Sequence, residues 1–158
     1  MMMLHRPCIA VLLALALSGC GGRESASPAQ PMQTSATATT TVGGATLQAS
    51  TLDIAHLNDT VAKRYAIDRG YPGVMLLVTL RDAQGNGIEP GDLHMEAAAG
   101  ALPDAPKPLA LHPITIDGMT DYIGLLHARA PATVQFKISA IRNGARAEIA
   151  TTAELYPR

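Results

Sequence analysis

The sequence predicts an all-β fold with one short helix, arranged as an antiparallel β-sandwich of about seven strands. Three observations predict it. From Leu47 onward, clusters of turn-forming residues divide the chain at near-regular intervals. Near the C-terminus two long runs flank Asn143-Gly144, the residue pair preferred in a two-residue type I′ hairpin turn. Finally, strand-like segments nowhere alternate with long helical patterns, as a parallel sheet would require. An open barrel is the second architecture compatible with these signals.

The chain begins with a different kind of segment. Met1 to Pro7 carries Arg6, and Cys8 to Leu17 (CIAVLLALAL) is an uncharged apolar run. Ten residues are too few to span a bilayer, which needs about 20, but they suit a secretory leader. Leu17-Ser18-Gly19-Cys20 follows at once. It resembles the lipobox of bacterial lipoproteins, in which the cysteine sulfur receives a diacylglycerol and cleavage makes that cysteine the first residue. The expected signal peptide is therefore 1–19 and the lipid-attachment residue is Cys20. Ordinary secretory cleavage after Ala14-Leu15-Ala16 is the alternative; it would cut within the apolar run and leave an unpaired exported thiol. One acyl chain holds a membrane only marginally. By this resemblance the mature protein carries two or three, palmitate among them, and stays anchored. Gly21 stands where an aspartate would signal inner-membrane retention, so the expected site is the periplasmic face of the outer membrane.

Gly21 to Thr46 is rich in Ser, Thr, Ala, Gly, Gln and Pro and poor in large apolar side chains. It cannot bury enough surface to offset its ordering entropy and reads, with Cys20, as a flexible tether over 20–46. Its reach would be about 25–30 Å. The folded domain is expected over 47–158, with the last tether residues joining the first strand as a second reading.

Leu47 to Leu57 holds the first expected strand. Asn58 or Asp59 can cap a short helix over Thr60–Ile67 by accepting from early backbone N–H groups. Val61, Ala62, Tyr65 and Ala66 fall on one side of that helix, and Gly70 and Pro72 stop it. Gly73 to Arg81 (GVMLLVTLR) is almost continuously apolar, as a strand covered on both faces would be. Asp82 to Gly87 turns the chain. Asp92–Ala99 is a weaker strand, Leu109–Ile116 the next, Asp117-Gly118 a turn, and Asp121–Ala128 a further strand. Ala132–Arg142 and Ala145–Tyr156 close the fold. Counting back from Asn143-Gly144 pairs Ala140 with Ala147, Ile138 with Ile149, Phe136 with Thr151 and Val134 with Ala153, all on one mostly apolar face.

Three of these segments carry a family resemblance: Val61-Ala62-Lys63-Arg64-Tyr65-Ala66-Ile67, the strand Val74 to Arg81, and the closing hairpin ending Glu154-Leu155-Tyr156-Pro157. Together they resemble domain of unknown function 4426 (DUF4426), small exported proteins of Gram-negative bacteria. The resemblance covers nearly all of 47–158. It implies an immunoglobulin-like sandwich in the periplasm and assigns no activity and no functional residue. The lipobox and long tether look like additions to that family's plan.

Composition narrows the function classes. Cys8 leaves with the leader and Cys20 is consumed by lipid, so a mature monomer has no disulfide. Losing Arg6 from the 12 Lys+Arg leaves 11 against 13 Asp+Glu, a balance near −2. Without a basic stripe, nucleic acid is excluded as the expected partner. One Phe, four Tyr and no Trp disfavour surfaces that work by aromatic stacking.

The chemistry-bearing residues are scattered. His56, His94, His112 and His127 show no ligand spacing and fall on separate elements, so only folding could gather them. His94 and Met95, with Met75 and Met119, offer imidazole and thioether suited to copper. Neighbours on a strand point to opposite faces, however, and Met75 sits in the most apolar run, so no metal site is assigned. Asp82, Asp92, Asp117 and Asp121 flank turns and match turn chemistry better than paired acid–base or calcium chemistry. Ser139 faces outward with no base at a fixed spacing. Lys63, Arg64, Asp68 and Arg69 form a charged helix side, either solvated or suited to an acidic partner. No catalytic residue and no cofactor is implied. The expectation is a non-enzymatic lipoprotein that binds or supports another envelope component, for example by strand addition at an unpaired edge. A periplasmic module for a small ligand or metal is the alternative.

Overall fold

The computed structural model describes residues 36–157. The leader, Cys20 and most of the expected tether lie outside the described residues.

The first strand, β1 (Thr37–Val42), falls within the segment expected as tether. It forms a hairpin with β2 (Ala45–Asp53) through Gly43-Gly44, whose φ values of 52° and 80° suit a type I′ turn. This corrects the tether boundary, and the reason is local. TATTTV is poor in large apolar residues but rich in β-branched threonine, whose restricted χ1 favours strands. An edge strand needs only one modestly apolar face, and here Val42 is its buried residue.

After β2 comes a 3₁₀ turn, Ile54–His56, then α1 (Asp59–Arg64). Asn58 caps α1, accepting from the Val61 N–H at 2.8 Å. The helix ends well before Gly70 and Pro72. Ala66 adopts φ 53° and the Ile67 N–H donates back to the Ala62 carbonyl at 2.8 Å, which closes the helix while Ile67 packs beneath it.

Strand β3 (Gly73–Arg81) pairs with β2, and β4 (His94–Ala101) begins the second sheet. The single strand expected over Leu109–Ile116 is two. Here β5 (Lys107–Leu109) pairs with β4, while β6 (His112–Ile116) pairs with β7 (Met119–His127) in the other sheet. Leu109 and Leu111 both pack on the core around this crossover, and Gly124 of β7 makes the room. A Cβ there would lie 2.6 Å from Leu109 Cδ2 and 3.2 Å from Leu111 Cδ2. The closing hairpin is β8 (Ala132–Arg142) with β9 (Ala145–Leu155), and its pairing agrees residue for residue with the expected register.

The described residues thus form nine strands in two antiparallel sheets, ordered β1-β2-β3-β7-β6 and β5-β4-β8-β9. The fold is an all-β sandwich, not a closed barrel. The main core lies between the sheets, where Leu47, Val74, Leu76, Val78, Val134, Phe136 and Ile138 are essentially sealed from solvent. A second cluster covers the outer face of the five-stranded sheet, where Ile54, Leu57, Ala62 and Tyr65 pack on Met75 and Ile123. That layer explains the continuous apolar run of β3, whose alternate residues enter different cores.

Candidate binding cleft

The two ends of the sandwich differ. At one end, loops are tied together: Arg142 donates to the Gly43 carbonyl at 2.6 Å and to the Pro90 carbonyl at 3.2 Å, and the Asn143 N–H donates to Asp92 at 3.0 Å. At the other end, β2 finishes, β3 starts, and β7 and β9 finish. The ends of β2, β3 and β7, paired side by side in one sheet, and the end of β9 in the other border a cleft of about 440 Å³. Ala128 and Leu155 are its buried apolar lining; Asp53, Arg69, Tyr71, Arg129 and Tyr156 supply its polar groups.

Each polar group has a distinct setting. Asp53 caps the 3₁₀ turn, so Oδ1 accepts from the Ala55 N–H at 3.0 Å, and Oδ2 meets His56 Nδ1 at 2.8 Å. Both of its oxygens are therefore engaged. Tyr71 is braced by His127, whose ring meets it edge-on at 5.3 Å with an interplanar angle of 87°. Arg69 pairs with exposed Asp59. Arg129 is exposed, and among the described residues its side chain makes no hydrogen bond or ion pair. Tyr156 is 62% exposed on the rim, more than any other large apolar or aromatic side chain among the described residues.

The residues singled out in the sequence are only partly united here. His56 and His127 reach the cleft through Asp53 and Tyr71. His94 stands exposed on β4, 3.9 Å from Glu96, and His112 is exposed on β6. Among the described residues no three His, Cys, Asp or Glu side chains are placed to share a metal ion. Met75 is fully buried core. Asp82 organises its turn, accepting from the Gln84 and Asn86 N–H groups and the Asn86 side chain; those Asn86 bonds hold its carboxyl below the usual range. Asp117 adopts φ 51° in the β6–β7 turn. Asp121 accepts from the Tyr65 hydroxyl at 2.7 Å; burial, and then that bond, push Tyr65 up to about 12. Burial likewise raises Tyr122. Tyr71, Arg129 and Tyr156 were not legible as site residues. They belong to segments far apart in sequence, and the sequence reading placed Tyr156 inside the last strand, whereas β9 ends at Leu155.

Architecturally the chain is an all-β sandwich, and among the described residues no helix is long and apolar enough to cross a membrane. Domain of unknown function 4426 matches over residues 39–157, and the chain belongs to that family. Its fold is similar to the crystal structure of a DUF4426 family protein from Pseudomonas aeruginosa, with a TM-score of 0.58 and 15% identity over 77% of this chain and 96% of that one. It is also similar to FetP from uropathogenic Escherichia coli, recombinantly expressed in the periplasm, with a TM-score of 0.52 and 10% identity over 80% and 98% of the two chains. A copper-bound variant of FetP gives the same TM-score and identity over 77% and 90%. No curated protein matches the sequence.

Proposed function

We propose that this chain is a non-enzymatic binding module, anchored by lipid on Cys20 and facing the periplasm, that engages another component of the envelope. The lipobox and the short apolar leader support the anchor, and the Gly21 position supports the outer membrane. The cleft at the open end of the sandwich supports the binding role. It combines a buried apolar lining with an exposed tyrosine and an unengaged arginine, residue types enriched at interface centres. Strand edges suit the role less well. Edge strands β5 and β6 are blunted by Lys107, Pro108 and Pro113. Edges β1 and β9 run beside each other, and Thr51 of β2 donates its hydroxyl to the Thr152 carbonyl at 3.1 Å.

The copper-bound neighbour supplies a second reading, a periplasmic metal module. It takes second place because the likeness, at 10% identity, is one of fold, and because only His56 and His127 border the cleft while His94 and His112 stand on other strands, so that among the described residues no three His, Cys, Asp or Glu side chains are placed to share a metal ion.

A photoreactive residue in place of Tyr156, activated in intact cells, tests the binding role. The expected result is one reproducible protein adduct that disappears when the same group replaces Lys137, exposed on the outer face of the four-stranded sheet. Equal labelling from both positions, or none, overturns the assignment to the cleft.

A further inference from the structure

The chain enters its sheets at the end that holds the cleft. Strand β1 starts at Thr37, opposite Ser50, and β2 runs on from Ser50 to Asp53 in the cleft lining. Just before Thr37, the Ala36 carbonyl accepts from the Thr51 N–H at 3.1 Å. Strand β1 then runs away from the cleft and turns at Gly43, whose carbonyl is bound by Arg142 in the tied end. The fifteen residues 21–35 therefore connect Cys20 to the open end and not to the tied one. Lengths turn that connection into an orientation. A flexible linker of fifteen residues spans about 19–23 Å on average. The sandwich is longer: the eleven-residue strands β8 and β9 measure about 36 Å. With lipid on Cys20, the open end lies within the relaxed reach of the linker from the bilayer. Facing the tied end to the bilayer would make the linker run back along the whole sandwich, well beyond its average span.

Exposed side chains mark the same end. Leu102 is 51% exposed, and its N–H donates to the Thr133 carbonyl beside the last residues of β9, so it shares the open end with Tyr156. Exposed Leu125 lies two residues before the end of β7. The tied end has Ile141, at 40%. Charge does not make this end a lipid-binding surface. Arg69 pairs with Asp59, and the other charges of the lining, Asp53 and Arg129, are one of each sign. A concave apolar floor with an aromatic rim and balanced charge suits a protein surface instead. Resting on the anchor and binding role proposed above, we infer that the open end faces the membrane that holds Cys20, and that the partner in its cleft is a protein embedded in that membrane, met at its periplasmic surface.

Two measurements test this. The chain has no Trp, so one introduced Trp reports a position. Tyr156→Trp and Ile141→Trp are compared in lipidated full-length protein on phosphatidylcholine vesicles carrying dansyl-phosphatidylethanolamine. Energy transfer is expected from position 156 and none above background from position 141; equal transfer, or more from 141, overturns the orientation. Both side chains are exposed, so unchanged melting temperatures confirm that the variants fold. In intact cells, the photoreactive residue in place of Tyr156 should capture a protein that only detergent releases from the membrane. Capture should persist when residues 24–31 are deleted, because the seven linker residues left reach at most about 25 Å, too little for the tied end to face the bilayer. Loss of capture on that deletion, or capture of phospholipid in place of protein, overturns the inference. Capture of a protein that salt washes from the membrane overturns it too, while the binding role stands. No capture from any variant refutes the binding role as well, and a bare thiol at Cys20 by intact mass refutes the anchor on which both rest.

Discussion

Replacing Tyr65 by Phe isolates one bond that ties the helical layer to the sheet. The ring is 8% exposed in the outer cluster, and its hydroxyl donates to Asp121 Oδ2 at 2.7 Å. Tyr65→Phe keeps the apolar contact and removes only that bond. A hydrogen bond to a charged group contributes about 1.5–3 kcal/mol. Asp121 is half-buried and regains water when released, so the lower part of that range applies, about 1.5–2 kcal/mol at pH 7. For a domain of this size that is a fall in melting temperature of about 3–8 °C. The pH dependence makes the test sharper. Tyr65 titrates at about 12 in the fold against 10.0 when unperturbed. A raised pKa means that the folded state holds the proton more tightly, so the stabilisation is complete below pH 10 and is lost as pH rises toward 12. Urea unfolding of both proteins between pH 7 and pH 11 measures the difference directly. Wild type should be the more stable at pH 7, and its advantage should shrink above pH 10. Equal stability at pH 7, or a gap that widens in alkali, would refute the assigned bond.

Three further predictions concern other parts of the chain. Thr79 carries a buried hydroxyl with no partner among the described residues, so Thr79→Val should leave stability unchanged or raise it by about 1 kcal/mol; a loss of that size in thermal unfolding would mean that the hydroxyl is bonded. Gly43 and Gly44 both have positive φ, but a Cβ on Gly43 would lie 2.4 Å from the Arg142 carbonyl oxygen while one on Gly44 meets nothing within 4 Å. Gly43→Ala should therefore destabilise clearly more than Gly44→Ala, whose cost is about 1–2 kcal/mol for the left-handed backbone alone; equal melting temperatures would contradict the close approach. Cys20→Ser should move the protein from the membrane to the soluble fraction of the envelope, with intact mass showing acyl chains on the wild type only; unchanged fractionation would refute the anchor.

The legible and illegible parts of the fold differ in the range of the forces involved. The β8–β9 pairing could be counted from the sequence because a two-residue turn leaves one register, and a slip by one residue would turn Val134, Phe136 and Ile138 outward. The burial of β3 on both faces followed from its unbroken apolar run. Strand β1 was missed because threonine-rich, weakly apolar sequence suits a tether and an edge strand alike, although Gly43-Gly44 carried the same hairpin chemistry as Asn143-Gly144. The break at 110–111 left no mark, since Leu109 and Leu111 keep their alternation while the chain passes from one sheet to the other.

Local chemistry alone therefore determined the β class, the family likeness, the closing hairpin, a helix cap at Asn58 or Asp59 and the expected lipid position at Cys20. Each of these depends on neighbouring residues or on a strict period. Tertiary structure alone decided which strand ends meet, and so which side chains share the open end of the sandwich. Asp53, Tyr71, Arg129 and Tyr156 come from four separate stretches and have no common spacing. They are neighbours because β2, β3, β7 and β9 reach the same end of two stacked sheets, a consequence of long-range pairing that no local pattern encodes.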